Sequence, residues 1–279
     1  MQLAVSNLAW PAELRDQAYV LLARAGITGL EIAPSLFFPQ SADPYRPSEA
    51  ELHAAHQAAK AAGLRLVSMQ SLLYGVSGAQ LFGDPAEQAE FIAAMQRSIR
   101  LAGRLGIENL VFGAPKMRSF PAKWRQDQAI SHAAEVFNKL ADFAQAEGTR
   151  LTIEAVAAEH GTNFLTHGQE ALDFLRHLDH PSLGWTLDLG NMASNDETAQ
   201  IPELIGQAGS LLTHIHVSAP QLGIAPSSVT QMCRVFEALE ACGYGRAVSI
   251  EMLAQSDDPL RDLQIGIERL LAARNSSAT

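Results

Sequence analysis

The amino-acid sequence predicts a TIM (β/α)8 barrel, an α/β fold in which eight parallel strands alternate with helices. Short apolar runs rich in β-branched residues alternate about eight times with longer amphipathic segments. The length of 279 residues suits one such barrel. No Gly-x-Gly-x-x-Gly turn follows the first apolar run, which disfavours an open dinucleotide-binding sheet.

The predicted strands are short apolar runs, which are typical of parallel strands buried on both faces. In chain order they are Leu3–Ser6, Gly29–Pro34, Leu64–Met69, Asn109–Phe112, Leu151–Glu154, Leu183–Leu187, Leu211–Ser218 and Ala247–Ile250.

The predicted helices carry apolar residues on one face, and several end beside a glycine that can cap them. Ser48 and Glu51 form a capping-box pattern at the start of the second helix. The helices are Pro11–Ala25, Ser48–Ala62, Ala86–Leu105, Asp127–Glu147, Gly168–Leu178, Val229–Cys242 and Pro259–Ala273. No linker interrupts this alternation, so residues 1–274 are predicted to form one domain and residues 275–279 a flexible C-terminal tail.

Composition and charge restrict the class of protein. Hydrophobic residues make up 47% of the chain and charged residues 18%, as expected of a globular protein with a large core. The net charge of −10 argues against nucleic acid as a partner, because phosphate contacts need a positive surface. The N-terminus lacks a basic leader and no run of about 18 apolar residues appears, so we expect no membrane association and a cytoplasmic location. Cys233 and Cys242 are expected to be buried thiols in a reducing compartment.

Polar residues stand at the ends of the last four predicted strands: Glu154, Asp188, His216 and Glu251. Active sites of TIM barrels lie at this C-terminal face, and neighbouring strands are only about 4.8 Å apart. Three carboxylates and one imidazole would therefore converge as an oxygen-rich ligand set for a divalent cation. Alternatively, each carboxylate caps a helix or pairs with an arginine. His214 is expected to face away from His216 or to lie two positions deeper in the barrel, where it could support the site.

The motifs around these residues resemble those of the xylose-isomerase-like TIM barrel superfamily, and more closely its sugar-phosphate isomerase/epimerase branch. They are Trp185-Thr-Leu-Asp-Leu-Gly190, His214-Ile-His-Val-Ser218 and Ser249-Ile-Glu251, together with Leu3–Trp10 and Gly29–Pro34.

The resemblance implies one divalent metal ion (Mn, Mg, Co or Zn) held by Glu154, Asp188, His216 and Glu251. It also implies that Glu154 and Glu251 are catalytic, as a base and acid pair. A carboxylate that removes a proton next to a carbonyl leaves an enediolate, and the cation stabilises its negative charge.

Two positions depart from the family pattern. Asn191 stands where many relatives have a histidine, and Ala219 stands where many have an acidic residue. The metal site need not change, but the two departures leave the substrate contacts and the identity of the reaction open.

Five further residues, besides Asn191, are candidates for substrate binding. Lys116 and Arg118 leave the fourth strand towards the same mouth and could hold a phosphate or carboxylate, or be solvated loop residues. Trp10 could wall a sugar site or pack under a loop. Glu31 could orient a ligand or pair with a cation, and His160 could contact substrate or be a surface residue.

The leading hypothesis is a metal-dependent sugar or sugar-phosphate isomerase/epimerase that acts on a small-molecule carbohydrate. A dehydratase of keto-inositols or sugars could use the same site, and a non-catalytic sugar- or metal-binding barrel is a third alternative. A nuclease of the superfamily's AP endonuclease type is disfavoured by the acidic charge and the missing histidines. The sequence leaves open whether the chain forms a homo-oligomer.

Overall fold

A computed structural model of the protein describes residues 1–277 and shows a closed barrel of eight parallel strands, paired in chain order from β1 to β8 and back to β1. The predicted TIM barrel is thereby confirmed. The strands are β1 (Gln2–Ser6), β2 (Gly29–Ile32), β3 (Arg65–Met69), β4 (Asn109–Phe112), β5 (Arg150–Glu154), β6 (Leu183–Asp188), β7 (Leu212–Val217) and β8 (Ala247–Ile250).

Helices cover the outside of the barrel. They are α1 (Arg15–Arg24), α2 (Pro34–Phe37), α3 (Glu49–Ala61), α4 (Pro85–Leu105), α5 (Gln126–Ala146), α6 (Gly168–Leu178), α7 (Leu189–Ser194), α8 (Ile201–Ala208), α9 (Val229–Ala241) and α10 (Pro259–Ser277). The capping box of Ser48 and Glu51 at the start of α3 is confirmed.

The sequence prediction missed three short helices: α2, α7 and α8. Each spans eight residues or fewer, which is too short for an apolar periodicity to stand out. Both α7 and α8 lie between β6 and β7, where the sequence analysis placed no helix.

The last helix is longer than predicted, because α10 continues past Ala273 to Ser277. Residues 275–277 of the predicted tail are therefore helical, and residues 278–279 lie outside the described part of the chain. The flexibility of the tail remains a prediction.

The barrel interior and the layer between strands and helices form one continuous core. Residues in β2, β4, β6, β7 and β8 are buried throughout, as expected of parallel strands covered on both faces. Among residues 1–277, no helix is both long and apolar enough to cross a membrane. Cys233 is half-buried, but Cys242 is exposed at the end of α9, so the prediction of two buried thiols is wrong for Cys242.

Candidate metal centre

The four polar residues predicted at the strand ends come together in the fold. Glu154 ends β5, Asp188 ends β6, His216 lies in β7 and Glu251 follows β8. Each offers one ligand atom, and these atoms all lie within 4.8 Å of one another. All four side chains are buried, so the cluster occupies the floor of the barrel mouth.

The ring of His216 is held between two sets of carboxylates. Its Nε2 lies 3.0 Å from Oε1 of Glu31 in a hydrogen bond. Its Nδ1 lies 3.0 Å from Oε2 of Glu251 and 3.7 Å from Oδ2 of Asp188, yet it has no hydrogen-bond partner in suitable geometry. When Nε2 donates its proton to Glu31, the lone pair of Nδ1 points at the carboxylates, which is the orientation of a metal-ligating histidine.

Burial and mutual repulsion make this cluster unfavourable without a cation. Burial and the charge of Asp188 raise the pKa of Glu154 well above its usual range. Burial and the charge of Glu251 raise the pKa of Asp188 to about 6. Burial opposes a charge on His216, but the carboxylates of Glu251 and Glu31 outweigh it and raise the pKa of His216 well above its usual value. The site therefore attracts positive charge.

Neighbouring groups fix the orientation of two of the carboxylates. The hydroxyl of Ser218 donates to Oδ2 of Asp188 at 2.6 Å, and the backbone N–H of Asn191 donates to Oδ1 at 2.6 Å. Gly113 makes room for Glu154, because a Cβ there would lie 2.9 Å from Oε2 of Glu154. The sequence analysis did not single out Ser218 or Gly113. The place of Ser218 two residues after His216 in the motif was the available signal.

Asn191, at the position of a departure from the family pattern, contacts a predicted metal ligand. Its Nδ2 donates to Oε1 of Glu154 at 2.9 Å, and its Oδ1 accepts from the backbone N–H of Ala157 at 3.0 Å. Both ends of the amide are thus engaged, so Asn191 positions Glu154 while it also lines the cavity above the cluster. Ala219, at the second departure, lines the same cavity.

Glu31 lies beneath the cluster and does not line the cavity, so the fold keeps it out of direct contact with substrate. Its carboxylate is 0% exposed, and Oε1 also lies 3.1 Å from Nε2 of His214. Burial alone would raise the pKa of Glu31, but His216 and His214 hold it well below its usual range. His214 lies one alternation deeper in β7, with ring centroids 4.9 Å apart, which confirms the second of the two expected placements.

Two other substrate-binding candidates are buried in the protein core. The guanidinium of Arg118 is 0% exposed; it donates to the backbone carbonyls of Glu154 at 2.8 Å and Leu165 at 3.3 Å. Burial lowers the pKa of Arg118 to about 10, an effect that the charge of Glu154 opposes. Trp10 is buried and packs edge-on against Tyr19 at 6.3 Å. The fold gives Arg118 and Trp10 structural roles in place of the predicted substrate contact. The sequence did not indicate this, because a local pattern does not show in which direction a side chain in a loop points.

A cavity of about 630 Å³ opens above the cluster, with Glu154, Asp188 and Glu251 in its lining. Lys116 and His160 line it as well, with exposed side chains, and their contact with substrate remains a prediction. Most of the remaining wall is apolar and comes from irregular loops after the strands. The sequence analysis missed these residues because loops carry no periodic pattern.

The sequence of the chain matches the protein family described as "Xylose isomerase-like TIM barrel" over residues 20–273. The chain belongs to this family. The resemblance seen in the sequence motifs is thereby confirmed.

Named relatives of the chain are sugar epimerases. A ketose 3-epimerase of Arthrobacter globiformis is 26% identical over 196 residues, which is 69% of this chain and 66% of that enzyme, just under two thirds of its length. The crystal structure of the 3-keto-D-glucoside 4-epimerase of E. coli superimposes with a TM-score of 0.78 at 17% identity, covering 99% of both chains. D-psicose 3-epimerase of Clostridium cellulolyticum, crystallised with D-tagatose, gives a TM-score of 0.77 at 19% identity, covering 100% of this chain and 98% of that one. At these identities the solved structures support the fold.

The buried cluster of this family member fits a divalent cation by its donor set and its charge. Glu154, Asp188 and Glu251 supply carboxylate oxygens and His216 a ring nitrogen that lacks a hydrogen-bond partner. The three carboxylates repel one another in the buried cluster, and a divalent cation held between them would offset that repulsion. The choice among Mn, Mg, Co and Zn remains a prediction.

Glu31→Gln is expected to weaken Mn²⁺ binding by roughly 10- to 100-fold, the usual effect of removing a group that orients a ligating histidine. The amide keeps the shape of Glu31 but loses the charge that fixes the proton on Nε2 of His216. Calorimetric titration of the metal-free protein with Mn²⁺ measures the change. Glu203→Gln, on the exposed side of α8, is the matched control and should leave the affinity unaltered. If Glu31→Gln bound Mn²⁺ as tightly as Glu203→Gln does, Glu31 would not orient His216.

Proposed function

We propose that the protein is a divalent-metal-dependent sugar isomerase or epimerase that removes and returns a proton next to a carbonyl group, through an enediolate. The observation that carries this proposal is the convergence of two glutamates with Asp188 and His216 on the floor of a cavity. Family membership and the names of the relatives support the same reaction class.

Glu154 and Glu251 are the proposed base and acid. Glu154 ends β5 and Glu251 follows β8, the first and last of the four strands that supply the cluster, so a sugar carbon between them can be approached from two sides. One carboxylate takes the proton, and the other returns it to the opposite face of the carbon. A divalent cation held by the four residues would supply the positive charge that stabilises the enediolate.

The position of the returned proton decides between the two reactions. Return to the same carbon from the other side inverts its configuration, whereas return to the neighbouring carbon interconverts aldose and ketose. The two separate glutamates, and the names of the relatives as 3- and 4-epimerases, favour epimerisation.

The cavity favours an unphosphorylated substrate. Among residues 1–277, Lys116 is the only lysine or arginine side chain in its lining, since Arg118 is turned into the core. Phosphate groups are normally bound by several donors, often including the fork of an arginine. One exposed lysine is a weak site by that standard.

The test is solvent-hydrogen exchange with the Mn²⁺-loaded protein in deuterated water. Free ketoses, their phosphates and keto-glycosides are incubated separately and followed by NMR and mass spectrometry. Deuterium at the carbon beside the carbonyl, together with the epimer and no change of skeleton, is the expected result, and chelation of the metal should stop it. Loss of water would instead identify a lyase. Absence of exchange with every compound would contradict the proposal.

A further inference from the structure

A second cavity, of about 620 Å³, lies at the opposite end of the barrel from the metal centre. The lining of this lower cavity comes from the N-terminal ends of β1, β3, β4, β7 and β8, with residues of α3 and α4 on its outer side. The cavity above the metal centre, the upper cavity, is lined instead by residues at and beyond the C-terminal ends of the strands.

The lower cavity opens where two neighbouring strands separate. The register aligns only one residue of β3 with β4, Met69 with Leu110, whereas it aligns three or four residues in every other neighbouring pair. Leu66 and Val67 of β3 are consequently only half-buried. The gap between β3 and β4 gives the surface access to side chains of the barrel interior.

Two buried polar side chains line the lower cavity with atoms that have no hydrogen-bond partner among residues 1–277. Asn109 is 7% exposed; its Nδ2 donates to the hydroxyl of Ser68 at 3.0 Å, but its Oδ1 is unpartnered. His214 is 0% exposed; its Nε2 lies 3.1 Å from Oε1 of Glu31, and its Nδ1 is unpartnered. Buried polar atoms are nearly always paired, so unpartnered ones in a cavity wall indicate where the polar groups of a ligand bind.

The outer part of the lower cavity is positively charged. Lys60, Arg65 and Arg246 line it with exposed side chains, and none of them forms an ion pair within the described residues. Glu108 is the only acidic side chain in the lining over the same part of the chain. Burial and the charge of Arg246 lower the pKa of Arg150 at the start of β5, an effect that Glu108 opposes. Cations therefore repel one another at this end of the barrel, and an anion would relieve the repulsion.

The two sets of groups select different parts of one ligand. A phosphate monoester carries a charge of roughly −1.5 to −2 at pH 7 and accepts from several donors, which suits a lysine beside two arginine forks. An amide oxygen and a ring nitrogen suit hydroxyl groups, which both donate and accept hydrogen bonds. A cavity of this size can enclose a small ligand that carries both kinds of group.

We propose that the lower cavity binds a small phosphorylated polyol, such as a sugar phosphate. Its phosphate lies at Lys60, Arg65 and Arg246, and its hydroxyl groups reach Asn109 and His214 in the barrel interior. Neither of the glutamates proposed for proton transfer lines the lower cavity, so the ligand is bound there without reacting. The site is additional to the proposed function and does not depend on it.

Calorimetric titration of the Mn²⁺-loaded protein with three probes tests this proposal: D-glucitol 6-phosphate, D-glucitol and inorganic phosphate. D-Glucitol 6-phosphate has no carbonyl group, so it cannot undergo the reaction proposed for the metal centre. It is expected to bind at least about tenfold more tightly than either of the other probes, because only this compound can contact both the cations and the buried polar atoms.

Two variants locate the ligand. Arg65→Gln combined with Arg246→Gln removes two exposed charges, so the fold should be retained, as thermal unfolding will show. The affinity for D-glucitol 6-phosphate is expected to fall by roughly 100-fold, about tenfold for each charge-assisted contact. Asn109→Asp keeps the shape of the side chain but places a negative charge at the inner end of the cavity, which should weaken binding by at least about tenfold.

Two further variants are controls. Arg234→Gln removes an exposed arginine on α9, away from the lower cavity, and Lys116→Gln removes the lysine that lines the upper cavity. Both should bind D-glucitol 6-phosphate with the affinity of the wild-type protein.

The outcomes separate this inference from the proposed function. Equal affinities for D-glucitol 6-phosphate and inorganic phosphate would show an adventitious ion only and overturn the inference. An affinity unchanged in the double arginine variant would also overturn it, as would an equal loss in Lys116→Gln, which would place the phosphate in the upper cavity. Absence of solvent-hydrogen exchange with every ketose would refute the proposed reaction and leave the lower site standing.

Discussion

His216→Ala is expected to lose the Mn²⁺ that the wild-type protein binds in about one equivalent, with an affinity reduced by more than about 100-fold. His216 contributes the only nitrogen among the four clustered ligand atoms, and its removal leaves three buried carboxylates facing one another. Metal bound at a free concentration of 100 times Kd stabilises a fold by about 2.7 kcal/mol. For a chain of this size that raises Tm by roughly 5 to 10 °C, and the variant should lose this increase.

Metal analysis of the purified proteins and thermal unfolding with and without Mn²⁺ measure both effects. His216→Ala also removes a hydrogen-bond donor from the buried carboxylate of Glu31, which will lower the stability of the metal-free fold. Asp188→Asn is therefore a second variant, because it keeps the shape of the side chain and removes only the charge. Wild-type affinity in both variants would place the metal elsewhere, and absence of metal from the wild-type protein itself would refute the four-ligand site.

Glu154→Gln and Glu251→Gln are each expected to lower the rate of epimer interconversion by about 10²- to 10⁴-fold, the range for removal of a general acid or base. The amide can still offer an oxygen to the cation but cannot take a proton. With two bases, each variant should still exchange solvent hydrogen into one epimer through the remaining glutamate and fail with the other epimer. The epimer that exchanges should differ between the two variants.

Exchange into each epimer is measured by NMR in deuterated water, with metal content determined on the same samples. Each amide is expected to weaken Mn²⁺ binding, as Asp188→Asn does, so both variants are assayed at a Mn²⁺ concentration that fills the site, which distinguishes a lost base from a lost ligand. If both variants exchanged the same epimer, or if one of them interconverted epimers at the wild-type rate, a single glutamate would perform both proton transfers. The two-base assignment would then be wrong.

The barrel and the four clustered residues were predictable because both depend on short-range patterns combined with one topological rule. Each of the eight strands was located within a few residues, since an apolar run bounded by loops can be seen in the chain. Neighbouring strands in a closed parallel barrel place their C-terminal residues together. The clustering of Glu154, Asp188, His216 and Glu251 could therefore be predicted from their positions at strand ends alone.

The same reasoning failed for residues whose role depends on the direction of a side chain. Arg118 follows a strand end just as Lys116 does, yet Lys116 lines the cavity while Arg118 turns inward to the carbonyls of Glu154 and Leu165. Glu31 was recognised as a polar residue in a strand. Its contact with His216, 185 positions away in the chain, could not be read from local sequence.

The fold and the ligand set thus follow from periodicity, strand-end positions and the closure of the sheet, which are encoded over a few residues at a time. Four features depend on which distant groups meet in the fold: the helix α8, the contact of Glu31 with His216, the two hydrogen bonds of Asn191 and the apolar walls of the cavity. Such contacts form between side chains from separate strands and loops, and their free energies come from burial and hydrogen-bond geometry that exist only after the barrel has closed.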